Sequence, residues 1–340
     1  MSDFYNNLTI HQMNVSTQNT SDNLTSSTAV WGSSASFSLT ILLITVLANL
    51  FVLSAFVCHK SLQTPFHVYL INLLVTYLAY AVLFMPLEVI TNLYTTWWLG
   101  SAVCTYSIYG IWVFQAGMIN SHLLITINRI WAVTFPHSYR LRHTGRVALL
   151  SVAGMWICLH CALLPGIILD AMYYRLPEDR TGCMINTNDT LGGWSMAVQI
   201  VIYDVPDAII LLAYPIICYQ TFVARRARLK HMRVSHLSSV GTVQRPHSVG
   251  PSEQPAPRLA PKGAGHAFTL LTVMTFCILL CYFPNQVYYT AIIFYQDNWP
   301  GFFRISCILF DLAGVIDPLF AVLTFRSLRS KLRRLFRYSK

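Results

Sequence analysis

Several carboxylates of this chain stand inside long apolar runs, Glu88, Asp204, Asp311 and Asp317 among them, and a guanidinium, Arg129, lies near the end of another. Charges in such surroundings are costly unless paired or exposed to water, so each is a candidate functional group. Nine cysteines are present, none with a zinc-finger spacing to histidine. Cys158 and Cys161 form a CxxC, but inside an apolar run, where packed thiols are expected instead of a redox or metal pair. No Ser/His/Asp set, HExxH or Walker loop occurs, and the eleven histidines are scattered. These patterns predict no enzyme, no metal and no cofactor. The chemistry left is charge pairing, hydrogen bonding and ligand recognition.

The elements that must carry these groups follow from composition. Of 340 residues, 55% are hydrophobic and only 11% charged, with a mean hydropathy of +0.51. Soluble domains carry about a quarter charged residues. Seven apolar runs, at roughly 36–58, 66–92, 101–134, 146–169, 194–223, 266–294 and 302–324, each exceed the ~20 residues needed to cross hydrocarbon. The fold class expected is an all-α integral membrane bundle of seven helices. The third and fifth runs are the more polar and are expected nearest the axis. Pro86, Pro165, Pro206, Pro215, Pro284 and Pro318 lie inside runs and predict kinks.

Charge sets the orientation. Of the 23 Lys and Arg, only Arg175, Arg180 and Arg304 fall on one side of the seven runs. The net charge of +10 therefore reads as membrane topology, not as a nucleic-acid surface, and places the C-terminus in the cytoplasm. The N-terminal tail, 1–35, then lies outside. It has no apolar h-region, which predicts no cleaved signal peptide. It carries four Asn-x-Ser/Thr sequons, at Asn7, Asn14, Asn19 and Asn23, with a fifth at Asn188, all expected to be glycosylated. The Pro- and Ser-rich stretch 225–265 is expected to be a flexible cytoplasmic loop whose basic start, Arg225-Arg226-Ala227-Arg228, continues the fifth helix. In 325–340, Phe325, Leu328, Leu332, Leu335 and Phe336 recur at helical spacing with basic residues between them, predicting an amphipathic helix on the inner leaflet.

On its motifs the chain, over about 37–337, resembles a rhodopsin-like (class A) G-protein-coupled receptor. The residues that carry the likeness are Asn49 in the first run, Trp97-Trp98-Leu99-Gly100 followed by Cys104, and Asn128-Arg129-Ile130 in place of Asp-Arg-Tyr. Trp156 with Pro165, and Pro206 with Tyr214, follow in order. Cys281-Tyr282-Phe283-Pro284 and Asp317-Pro318-Leu319-Phe320-Ala321 complete the set. Cys104 and Arg129 are 25 residues apart, about 38 Å along a helix, so they mark opposite mouths of the bundle. The resemblance implies a Cys104–Cys183 disulfide at the outer rim, where Cys307 also lies near. It implies an Arg129 that holds the inactive bundle shut and then meets a heterotrimeric G protein, with a sixth helix hinged near Pro284. It also implies a plasma-membrane location and an extracellular ligand.

Departures fall on the switch itself. Asn128 replaces the acid beside Arg129, Tyr77 stands where the family has a second-helix aspartate, Met118 takes the nearby serine position, and Tyr282 and Ala321 replace a tryptophan and a tyrosine. The family's sodium pocket is expected to be absent, with Asp317 alone making a poor cage, and the inactive state loosened. Ile111 stands where amine receptors carry an aspartate, and Asp311 where opsins carry the retinal lysine. A simple aminergic pocket and a retinal Schiff base are thus not expected. Glu88 and Asp311, with Trp112, Gln115, Asn285, Gln286 and Tyr289, and Tyr203 and Asp204 lower down, are the candidate pocket residues. They suit a cationic or polar ligand such as a basic peptide. An internally paired polar network is the plainer reading of the same residues. A non-coupling decoy or scaffold is the alternative function, and a transporter or channel a more distant one, since no inverted repeat is visible.

Overall fold

The computed structural model describes residues 29–59, 64–94, 96–178, 182–186, 191–240, 278–295, 299–324 and 329. The sequons at Asn7, Asn14, Asn19, Asn23 and Asn188, most of the 325–340 tail, and the loop beyond 240 lie outside them. All the regular structure among the described residues is helical. In hydrocarbon each backbone N–H and C=O must be satisfied within its own segment, which a helix does. Among these residues six helices are long and apolar enough to cross a membrane: Ser33–Cys58, Pro65–Leu93, Ser101–Thr134, Gly145–Tyr174, Gly192–Gln220 and Gly301–Leu323. They are the first to fifth and the seventh spans. Residues 278–295 form the described part of the sixth. A short helix, Pro136–Arg142, follows the third span.

The first span packs on the second and seventh, the third on the second, fourth and fifth, and the sixth on the fifth and seventh. That is a closed bundle. Its outward faces are apolar, with Leu47, Leu150, Ile157, Leu212 and Leu319 all exposed. The third span is central as expected, but the second, not the fifth, is the other most buried helix. Gln199 and Asp204 of the fifth turn toward the sixth, as the site below describes, Tyr203, Ala213 and Ile217 face the third, and Val205, Ile209, Leu212 and Ile216 look outward. The fifth-span helix also runs to Val240, so residues 225–240 are helical where a loop was expected; only the basic start had been expected to continue the helix. Its Leu-, Arg- and Lys-containing stretch has no helix breaker before Gly241.

Proline shapes the spans in two ways. The second breaks at Phe84, two residues before Pro86, and resumes as Met85–Leu93. In the fifth and sixth, the carbonyls that lose their backbone donor to Pro206 and Pro284 belong to Ile202, which accepts instead from Asn120 Nδ2 at 3.0 Å, and Leu280. Both lie in π-helical turns, Gln199–Asp204 and Ile278–Tyr282, where the helix widens. A further π turn, Gly110–Phe114, opens the third span where the Phe84 ring packs on Gly110 so closely that a Cβ there would meet it.

Candidate functional site: a polar axis through the bundle

The third span is the rod on which the site is built. At one end Cys104 is bonded to Cys183, 79 residues on, with Cα atoms 5.4 Å apart. A second clamp holds the same loop. Arg175 donates from Nε to Oδ2 of Asp170 at 2.7 Å and from Nη1 to Thr105 at 2.8 Å. The other oxygen of Asp170 accepts the Asn186 backbone N–H at 2.8 Å. Asp170 is fully buried. The π turn Asp170–Tyr174 at the end of the fourth span aims that carboxylate at the loop. The sequence reading passed over this pair, although an arginine five residues after an acid at a helix end was the visible signal.

Below this rim lies a cluster of polar side chains from the first, second, third, sixth and seventh spans. Ser38 donates to Oε1 of Glu88 at 2.9 Å, and Asn92 donates to Ser38 at 3.1 Å. Gln115 lies beside Tyr80, and Glu88, Asp311 and Cys307 lie in the same region of the bundle. Asn285 points Nδ2 at the Cys307 sulfur, and Tyr289 also neighbours Cys307. So Glu88, Gln115, Asn285, Tyr289 and Asp311 share one region of the bundle. Among the described residues no Lys, Arg or His forms an ion pair with either carboxylate. Two carboxylates this near each other repel, and a cation between them removes the repulsion.

Trp112 and Gln286 belong to a neighbouring wall between the third, fifth and sixth spans. Trp112 stacks on Trp194, ring centroids 5.7 Å apart, and its carbonyl accepts the Tyr203 hydroxyl at 2.7 Å. Gln199 donates to both Gln286 and Asp204 at 3.0 Å. Ile111 is half-buried in the π turn and offers no polar group.

Midway down, the bundle closes on one carboxylate. Tyr77 donates to Oδ2 of Asp317 at 2.6 Å and also contacts the hydroxyl of Tyr282. His122 brings Nε2 to 2.8 Å from the same oxygen, at an angle that misses a hydrogen bond, and its Nδ1 has no partner. The Tyr282 ring packs edge-on against His122 and against Phe310, the neighbour of Asp311. Tyr77, which stands where the family has an aspartate, thus caps Asp317 with its own hydroxyl. His122 was not singled out from the sequence. It lies one turn past Met118, on the face that Met118 already marked.

At the far end, Arg129 lays its guanidinium 3.6 Å over the Phe66 ring, and its Nε has no hydrogen-bond partner. Asn128 turns away from it, donating to Nε2 of His143 at 2.9 Å and accepting from the Tyr139 hydroxyl at 3.1 Å. The rings of Tyr139 and His143 stack at 4.4 Å. Burial, with Arg129 nearby, lowers the His143 pKa, which keeps the lone pair that Asn128 needs. Burial raises that of Tyr139. Ile130 packs with Ala213 and Ile217 of the fifth span. Pro318 lies inside the seventh helix, and Pro284 follows the π turn of the sixth. The side chain of Tyr214 lies outside the described residues.

A rod stapled at one end, carrying an arginine at the other, with a polar core packed against the sixth and seventh helices, describes a family. Residues 48–320 match the 7 transmembrane receptor (rhodopsin family). The chain belongs to that family. Among curated relatives it is similar to the mouse 5-hydroxytryptamine receptor 1D, 26% identical over 56% of this chain and 48% of that protein. It is likewise similar to tyramine receptor 1 of Locusta migratoria, 26% identical over 64% of this chain and 43% of that one. With the high-affinity lysophosphatidic acid receptor of Xenopus laevis it shares 23% identity over 83% of this chain and 77% of that receptor. The chain spans about half the length of the first two. These relatives are receptors, not enzymes.

Proposed function

We propose that this chain is a G-protein-coupled receptor of the plasma membrane, with its N-terminus extracellular, that converts ligand binding at the Glu88/Asp311 cluster into opening of the Arg129 end. The observation that carries the reading is the position of Tyr282. It is wholly buried, touches Phe310 beside Asp311 on one side, and Tyr77 and His122 on the other. A cation drawn between Glu88 and Asp311 acts on the seventh span one residue from Phe310. A swing of the sixth span about Pro284 draws Tyr282 away from Tyr77. The ligand favours that state by binding it better. Its class is cationic or polar. The amine and lipid ligands named for the relatives are compatible with a charge-bearing ligand, but Ile111 removes the aspartate expected of an amine pocket.

The inner end supports a weakly held resting state. With Asn128 committed to Tyr139 and His143, no carboxylate among the described residues pairs with Arg129. The test is ligand-free activation across a panel of Gα subunits, wild type against Asn128→Asp. Output above background that Asn128→Asp reduces is the expected result. Background output from both, with no response to a library of cationic ligands, would favour the decoy reading instead. Glu88→Gln and Asp311→Asn should each weaken the response to any cationic agonist found. Unchanged potency would mean that the cluster is internal scaffolding. Epitope tags on the two termini test the orientation.

A further inference from the structure

A second carboxylate-bearing cavity lies outside the cluster just described. It opens between the fifth and sixth spans, has a volume of about 640 Å³, and is lined by Asp204, Asp207, Leu211, Phe283, Val287 and Ala291, among others. Ligand sites are commonly a few hundred to a thousand cubic ångströms and mostly apolar, with few polar groups to fix orientation. The two acids differ in their state. Asp204 is satisfied, accepting from Gln199 at 3.0 Å and from Thr290 at 2.9 Å. Asp207 is only 3% exposed, and neither of its oxygens has a hydrogen-bond partner. A buried carboxylate without donors is an uncompensated acceptor. The sequence reading passed over Asp207, one residue after Pro206.

The mouth of the cavity faces hydrocarbon. On its sixth-span wall Phe283 is 40% and Val287 37% exposed, and the outward face of the fifth span is apolar at Val205, Ile209, Leu212 and Ile216. The lining residues of the sixth span lie about 6–18 Å from its end at Tyr295, at 1.5 Å per residue, which is the disulfide-bearing half of the bundle. We infer that this groove binds a single-chain amphiphilic amine from the membrane, its ammonium donating to Asp207 and its chain lying along Leu211, Phe283 and Val287. An ammonium has donors only, which Asp207 lacks, and carries the charge that two nearby acids call for. A fatty acid would add a third negative group. The site is distinct from the Glu88/Asp311 cluster and does not depend on that cluster binding a ligand.

The test uses the full chain in phosphatidylcholine nanodiscs and a diazirine-bearing dodecylamine as probe. Photolabelling is expected on peptides covering 204–211 and 283–291. Unmodified dodecylamine should compete, while dodecanol and dodecanoate compete about tenfold less well or worse, as loss of a charged hydrogen bond requires. Asp207→Asn should weaken labelling by a similar factor, Asp207→Glu should preserve it, and Asp311→Asn should leave it intact. Equal competition by dodecanol, or undiminished labelling of folded Asp207→Asn, would overturn the assignment, as would label confined to the Glu88/Asp311 region. If Asp207→Asn does not fold, the competition series on the wild type decides alone.

Discussion

Tyr77→Phe deletes one oxygen atom and two contacts. The hydroxyl donates to Asp317 at 2.6 Å and meets the Tyr282 hydroxyl, and both tyrosines are buried, 3% and 0% exposed. A hydrogen bond to a charged group is worth about 1.5–3 kcal/mol in water-soluble proteins. In membrane bundles side-chain hydrogen bonds average only about 0.6 kcal/mol, with about 1.7 at most, because the unfolded chain in lipid also finds partners. The charged acceptor places Tyr77→Phe near the upper end, at about 1–2 kcal/mol. No packing is lost, since the ring stays. Tyr282→Phe leaves the Tyr77–Asp317 bond in place and should cost about 0.5–1 kcal/mol. In the double variant the Tyr77–Tyr282 contact is lost only once, so the two costs should not add. The assay is thermal unfolding of the purified chain in one detergent, for wild type, both single variants and the double. Full additivity, or a Tyr282→Phe cost as large as that of Tyr77→Phe, would refute the geometry of this core.

Other consequences follow from the clamps and the inner end. Arg175→Ala leaves Asp170 buried without its counter-charge and should cost about 3–5 kcal/mol; a melting temperature equal to wild type would contradict the clamp. Gly110→Ala drives a methyl into the Phe84 ring and should lower stability by about 1–3 kcal/mol, read in the same melt, whereas Gly154→Ala, with open space around it, should be neutral. Because the folded His143 pKa lies below the ordinary 6.5, its contribution is complete above that pH. It should decline as the pH falls and the unfolded chain takes up a proton that the folded one refuses. His143→Asn should flatten that part of the acid-side slope, and an unchanged slope would count against the contact with Asn128.

How much of this was legible beforehand differs along the chain. Arg129, Cys104 and Asp317 were readable because each is a charged or reactive group at a marked place in a long apolar run. The replacements at Tyr77, Tyr282 and Asn128 were visible too, as departures from a pattern. What they do instead was not. Tyr77 reads as a lost ion pocket, and only its contact with Asp317 reveals that it supplies the missing donor. His122, Asp207 and the Asp170–Arg175 pair carried no motif, and their importance lies in partners on other helices or loops.

The division has a physical cause. Whether a segment becomes a membrane helix is decided within that segment, because each carbonyl finds its N–H one turn away and hydrocarbon accepts the side chains. Seven apolar runs and their prolines therefore specify the spans, and the uneven spread of lysine and arginine is the basis of the sense proposed for them. Which face of each helix turns inward is decided between segments. In the first, second and fourth spans apolar residues cover nearly every face, so the pattern leaves the rotation open. Packing settles it, and with it the meeting of Tyr77 with Asp317, the sharing of one region by Glu88 and Asp311, and the opening left beside Asp207.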